Sequence, residues 1–255
     1  MCLLPKGGAQ ATATNPVYAR PVVLLPLLYR MWAWKRGKEI ASWLTANSMD
    51  GLPVASRSAE DYGTLLAAEL EKALTLDEAM LAVCVDQSKA YDSIRLDLLA
   101  FLLAGSGMPP EVWRPMLDMA KAPRRLKVMS AVGEWREPTC GMNPGCPAAT
   151  RIMSFLLERW RRGLTTAVPA AIVRCWVDDS TAAGQGETQG LAVWAEATRG
   201  FEDLEQGDGA KVNRKKSGVL SSHPRLQRLV ELATALRAQC PFGLVVSYGP
   251  AEPAG

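Results

Sequence analysis

Two apolar runs dominate the hydrophobic pattern of the chain: Leu81-Ala82-Val83-Cys84-Val85 ends on Asp86, and Ile172-Val173-Arg174-Cys175-Trp176-Val177 ends on Asp178-Asp179. Short continuous runs of this kind read as buried strands, predicted over 80–85 and 170–177, with a return strand over 180–183. Between them the spacing turns helical. A helix is predicted over 29–44 with Trp32, Arg36 and Glu39 interleaved, and a second, capped by Ser58-Ala59-Glu60-Asp61, runs to about residue 74. Helices over 96–104 and 110–120 are separated by Gly105-Ser106-Gly107 and Pro109. The stretch 125–137 reads as a hairpin turning at Gly133, and 147–162 as a helix with Ile152, Phe155, Leu156 and Trp160 on one face. A last helix is predicted over 189–204, which makes the order α+β.

Composition narrows the class. With 255 residues, 48% hydrophobic and 22% charged, the chain can bury a core in one or two domains. The apolar segment 22–34 is broken by Pro26 and Arg30 and is too short to span a bilayer, and Pro5-Lys6-Gly7-Gly8 interrupts any secretory leader. No membrane partner is expected. Cysteines at 2, 84, 140, 146, 175 and 240 form no Cys-x-x-Cys pair, and His223 is the single histidine, so the reading is a reduced intracellular protein, cytoplasmic or nuclear, without a structural zinc. His223 reads as a surface residue, which disfavours a Ser-His-Asp hydrolase. Residues 249–255 have a disordered composition. A net charge of +3 permits a nucleic-acid partner without demanding one.

The candidate chemistry lies at the strand ends. Hard divalent cations favour carboxylate oxygens, and Asp86, Asp178 and Asp179 would converge on one site if the strands are neighbours. Two Mg²⁺ ions held there, with Mn²⁺ as a possible substitute, suit phosphoryl transfer. Alone, Asp-Asp after a strand is commonly a turn. The surrounding motifs change that weighting. Asp86-Gln87-Ser88-Lys89-Ala90-Tyr91-Asp92 resembles the first catalytic motif of reverse transcriptases, and Cys175-Trp176-Val177-Asp178-Asp179 resembles their Tyr-x-Asp-Asp hairpin. Leu4-Pro5-Lys6 and Arg20-Pro21-Val22 are similar to the fingers hairpin of non-LTR retrotransposon and group II intron enzymes. Gly141-Met142-Asn143-Pro144-Gly145-Cys146-Pro147 resembles the Gly-x-x-Gln-Gly-x-Pro motif, and Asn213-Arg214-Lys215-Lys216-Ser217 the Asn-x-x-Lys-Ser palm motif. The motifs stand in the family's order and cover about residues 3–220.

The resemblance implies an α+β right-hand polymerase fold with an antiparallel palm sheet flanked by helices: fingers over 1–79, palm over 80–225 with inserted fingers helices, and over 226–255 the end of the palm, the start of a primer grip and a tail. It implies template-directed addition of dNTPs to a primer 3′-hydroxyl, with RNA or DNA template-primer as partner and a retroelement as source. Asp86 and Asp178 would hold metal with Asp179 beside them, Tyr91 would exclude a 2′-hydroxyl, and Lys6 and Arg20 would grip the triphosphate. Gly145 would belong to the nucleotide-positioning loop, and Lys216 would neutralise or protonate pyrophosphate. On the residues alone, Tyr91 reads as core packing, Lys6 and Arg20 as solvated charges, and Lys216 equally as a solvated charge or a pyrophosphate partner. The basic stretch 121–127 is read as tracking phosphates, while Arg159-Trp160-Arg161-Arg162 reads equally as a solvated face.

Three positions depart from the pattern: Pro144 stands for glutamine, Ala149-Thr150 for Ser-Pro, and Trp176 for tyrosine. No thumb, endonuclease or RNase H segment is read in the chain; thumb or endonuclease segments are expected elsewhere in a larger polyprotein. Two other readings stay open: a decayed or fragmentary relative that only binds nucleic acid, and an unrelated metal-dependent phosphotransferase.

Overall fold

The computed structural model describes residues 2–5, 19–47, 59–128, 131–143, 145–176, 179–207, 209–236 and 245–247. In chain order the elements are β1 (Cys2–Pro5), β2 (Ala19–Val22), α1 (Leu27–Ala46), α2 (Ala59–Thr75), β3 (Met80–Asp86), α3 (Ala90–Ser93), α4 (Leu96–Gly105) and α5 (Pro110–Lys121). They continue as β4 (Lys127–Val128), β5 (Ala131–Val132), α6 (Ala149–Ala167), β6 (Ile172–Trp176), β7 (Asp179–Gln185), α7 (Glu187–Gly207), β8 (Gly218–Ser221), α8 (Pro224–Leu236) and β9 (Val245–Ser247). Helices and sheet are thus mixed as α+β. Among the described residues no helix is long and apolar enough to cross a membrane.

Contacts group the chain into two interleaved units: Met1–Asn47 with Lys89–Ile152, and Ser48–Ser88 with Met153–Gly255. The sequence reading drew its boundaries in chain order; the contacts place α2 with the segment that holds β3.

The first unit holds the four-stranded sheet β2-β1-β4-β5. β1 and β2 form the expected antiparallel hairpin, with Leu4 opposite Arg20. The second hairpin does not turn at Gly133. Lys127 pairs with Val132 and Val128 with Ala131, which leaves Gly133 beyond the paired residues. Gly133 follows the strand and donates its N–H to the Leu126 carbonyl at 2.9 Å.

The second unit is built on a five-stranded sheet in the order β6-β7-β3-β8-β9, antiparallel except for the β8–β9 pair. β3 is central and covered on both faces, which explains its continuous apolar run. Leu81, Val83 and Val85 join Leu157, Trp160 and Leu164 of α6 and Val193, Ala197 and Phe201 of α7 in one core cluster. Met80 and Ala82 face the other way, onto Leu66, Leu70 and Ala73 of α2. Each large side chain so buried contributes about 1.5–3 kcal/mol. α7 lies so close to the sheet that a Cβ on Gly184 would stand 2.8 Å from the Gln189 carbonyl oxygen, and this seam needs the small residues of β7.

Candidate active site

β3 and β7 run antiparallel in a register that places Met80 opposite Gln185 and Asp86 opposite Asp179. Directly opposed residues share a face of the sheet, with Cβ atoms about 4.5–5.5 Å apart. Alternation assigns that face to the side on which α2 packs. Asp86 is half-buried and Asp179 exposed. Asp178 lies outside the described residues, and among those described no group of three His, Cys, Asp or Glu side chains is placed to hold a metal ion. Two like-charged groups directly opposed repel one another. They also supply the oxygen donors through which Mg²⁺ is usually anchored to protein, so the donor set fits that cation.

Asp86 is secured by a segment far along the chain. Asn213 donates its backbone N–H to the Asp86 carbonyl at 2.8 Å, and its side-chain Nδ2 to Asp86 Oδ2 at 2.6 Å. The Asp86 N–H donates to Ser217 Oγ at 3.0 Å, and that hydroxyl lies 3.3 Å from the Asp86 carbonyl oxygen. Gln87 bridges to Val212, and the Ser88 N–H donates to the Lys211 carbonyl at 2.6 Å. The last residue of β3 is therefore bonded to the Asn-x-x-Lys-Ser segment, and the two residues after it pair with Val212 and Lys211 just before that segment. Asn213 and Ser217 belong to the Asn-x-x-Lys-Ser motif, which is the sequence signal for their place beside Asp86.

Beside Asp179 lies a cavity of about 200 Å³ lined by Tyr62, Gly63, Leu66, Arg174, Trp176 and Thr181. Trp176 leans on Tyr62 with ring centroids 5.6 Å apart, and Arg174 holds Glu69 through two hydrogen bonds of 2.8 and 2.5 Å. Sequence reasoning passed over Tyr62, Glu69 and Arg174 because their partners are distant in the chain.

Burial, and then the charge of Asp179, push the Cys84 thiol up to about 11; burial pushes the enclosed Cys175 up to about 12. An unfolded thiol ionises near its ordinary value of 9.0. The folded state therefore keeps a proton that the unfolded state has lost, and the stability from Cys84 is complete below pH 9 and falls as pH rises towards about 11. Urea melts at pH 8 and pH 10 are expected to show this loss, and Cys84→Ala to reduce it. An equal slope in Cys84→Ala would remove Cys84 as its source.

The other expected residues fall as follows. Lys6 and Pro144 lie outside the described residues, and Arg20 stands on β2. Tyr91, half-buried on α3, is in the unit that does not hold Asp86, and its carbonyl accepts the Met142 N–H at 2.8 Å. Gly141 and Gly145 both have positive φ, +91° and +94°, and a Cβ on Gly141 would stand 3.2 Å from the Asp92 carbonyl oxygen. Glycine at both positions thus has a backbone reason. Lys216 is exposed, on a turn whose N–H donates to the Asn213 carbonyl at 2.9 Å.

The basic runs are partly structural. Arg124 turns to the buried Asn143, whose Nδ2 donates to the Met119 carbonyl at 3.0 Å. Arg161 and Arg162 both bind the buried Glu158, at 2.6 and 2.7 Å, and Trp160 is in the core. His223 accepts the Arg225 N–H on Nδ1 at 3.3 Å, at the start of α8.

No protein-family model matches the sequence, and no curated protein matches it. Among solved structures the chain is similar to apo telomerase from Candida tropicalis truncated from its C-terminal domain, with a TM-score of 0.55 and 12% identity over 76% of this chain and 41% of that one. It is similar to telomerase from Candida tropicalis in complex with the TWJ fragment of telomeric RNA, with a TM-score of 0.55 and 11% identity over 78% and 34%. The corresponding complex from Candida albicans gives 0.50 and 11% over 73% and 33%. The chain spans 41% or less of these three telomerase chains. At this identity the likeness is one of fold alone: the chain is similar in fold to part of these telomerase chains. The likeness to non-LTR retrotransposon enzymes rests on the motifs alone.

Proposed function

We propose that the chain is the fingers-and-palm part of an RNA-directed DNA polymerase, of retroelement origin and with motifs that resemble those of non-LTR enzymes. The observation that carries the proposal is the register of β3 and β7, which sets Asp86 opposite Asp179 in a fold similar to telomerase. Asp86, Asp179 and the adjoining Asp178 would hold Mg²⁺. The cation, when bound, would lower the proton affinity of a primer hydroxyl and offset charge on the phosphates.

The rest falls to the chain. The primer 3′-hydroxyl gives up its proton to solvent and its oxygen forms a bond to the α-phosphorus of a dNTP, while the bond from that phosphorus to the bridging β-phosphate oxygen breaks and pyrophosphate leaves. Arg20 and Lys6 would grip the triphosphate, Tyr91 would exclude a ribose 2′-hydroxyl, and Lys216 would meet the charge on pyrophosphate. Two of the telomerase structures hold a fragment of telomeric RNA, which supports a nucleic-acid partner for this chain.

Pro144, in the glutamine position, favours a second reading, a domain that binds template-primer without extending it. Primer extension on a short RNA template with dNTPs and Mg²⁺ separates them. Extension is expected from the natural chain and from Pro144→Gln, and none from Asp178→Ala. Extension by Asp178→Ala at the natural rate would sink the site assignment. Salt-sensitive binding with no extension by either the natural chain or Pro144→Gln would establish the binding module.

A further inference from the structure

We infer that Asn213 is a positioning residue for the cation site: its side-chain amide sets the orientation of the Asp86 carboxylate, and with it the affinity of the strand-end pair for a divalent cation. This rests on the reading of Asp86 and Asp179 as the metal-holding pair.

Asn213 is itself fixed on both sides. Its N–H is bound to the Asp86 carbonyl, and its own carbonyl accepts the Lys216 and Ser217 N–H groups, each at 2.9 Å. The turn over Arg214 and Lys215 is thereby closed, and the Asn213 side chain is delivered to Asp86 from 127 positions away. The terminal torsion of an aspartate is broad and roughly two-fold, so an unrestrained carboxylate samples many orientations. The 2.6 Å bond from Nδ2 holds Oδ2 in place and with it the orientation of the carboxylate.

The residue type also matters. Arg214, Lys215 and Lys216 follow directly, yet the group that meets Asp86 is a neutral amide. A lysine or arginine in its place would pair with the carboxylate and compete with the metal. An amide orients the ligand without cancelling its charge. Hydrogen-bonding partners of metal ligands typically alter metal affinity by about tenfold to a hundredfold when removed.

The test is a titration of the 255-residue chain with Mn²⁺ alone, following the electron paramagnetic resonance signal of the free ion, for the natural chain, Asn213→Ala, Asp86→Ala and Ser222→Ala. Ser222 anchors the opposite end of β3: its Oγ accepts the Met80 N–H and donates to the Glu78 carbonyl, both at 2.8 Å. Asn213→Ala is expected to weaken Mn²⁺ binding by about tenfold to a hundredfold, Asp86→Ala to remove the site, and Ser222→Ala to leave the affinity unchanged.

Unchanged affinity in Asn213→Ala, with the site lost in Asp86→Ala, would overturn the positioning role while leaving the metal site standing. Equal weakening in Ser222→Ala would reduce the effect to strand anchoring and overturn it as well. Mn²⁺ binding unaffected by Asp86→Ala would overturn the site reading and this inference together. If Asn213→Ala does not fold, Asn213→Leu, which keeps the volume without the donor, takes its place under the same outcomes.

Discussion

Asp86→Asn is expected to lower primer extension by roughly a thousandfold or more, and Asp179→Asn to lower it by roughly tenfold to a hundredfold. The first figure follows from cation-mediated charge stabilisation of several kcal/mol, since about 4 kcal/mol corresponds to roughly three decades in rate. The second is the smaller loss expected of the weaker, solvent-exposed member of the metal-holding pair. The asymmetry comes from placement. Asp86 is half-buried at the end of the central strand with its carboxylate held by Asn213, whereas Asp179 is exposed at the start of β7, where water screens it. Stability should move the other way. The two carboxylates are directly opposed, so removing either charge relieves repulsion, and the cation-free melting temperature of each variant should equal or exceed that of the natural chain. Mg²⁺ should raise the melting temperature of the natural chain and not that of Asp86→Asn, because only a bound ligand stabilises by mass action. A larger loss in Asp179→Asn than in Asp86→Asn would reverse the two roles. Activity lost together with a lower cation-free melting temperature would mean damage to the fold instead.

These predictions rest on features that were unequally visible in the sequence. β3 was legible because burial on both faces makes every position apolar, and its last residue, Asp86, was therefore marked. β7 was read over only 180–183, yet it extends to Gln185 because Gly184 and Gln185 complete the pairing with Leu81 and Met80. β8 was not read as a strand at all. Four residues, Gly218–Ser221, carry little periodicity, and their strand state comes from pairing with 81–84 of β3. For α6 the spacing singled out Phe155 and Leu156, which are only half-buried; Met153, Leu157 and Leu164 lie in the core with Ile152 and Trp160. The buried stripe is displaced around the helix because the burying surfaces are supplied from elsewhere in the chain. Arg124 shows the same limit from the polar side. A basic run does not reveal which member turns inward, because that depended on Asn143, 19 residues away. At the site, Asp86 could be named from the sequence, but the contact from Asn213 required the fold.

The largest effect on the fold is expected from Phe201→Ala, about 3–5 kcal/mol of lost stability. Phe201 is fully buried, with its ring 4.8 Å from that of Trp160 at an interplanar angle of 50°. Truncation removes the transfer free energy of the ring, leaves a cavity, and also removes an aromatic pair worth about 0.5–1.5 kcal/mol beyond its buried area. Collapse of the site should be limited. Trp160 is tied by its Nε1 to the Ala197 carbonyl at 3.4 Å, and it already lies against Gly200, where a Cβ would stand only 2.7 Å from Trp160 Cδ1. For a chain of this size each kcal/mol shifts the melting temperature by roughly 2–4 °C, so thermal unfolding should move down by roughly 6–20 °C. Phe201→Leu, which keeps most of the volume, should recover much of the loss. α7 packs on the face of β3 that carries Leu81, Val83 and Val85, and alternation directs Asp86 to the other face. The folded fraction of Phe201→Ala should therefore keep the Mn²⁺ affinity of the natural chain, whereas Asn213→Ala should keep more of the stability and bind Mn²⁺ about tenfold to a hundredfold more weakly. A drop below about 1 kcal/mol in Phe201→Ala would mean that the α6–α7 seam closes over the gap and is packed less tightly than its contacts require.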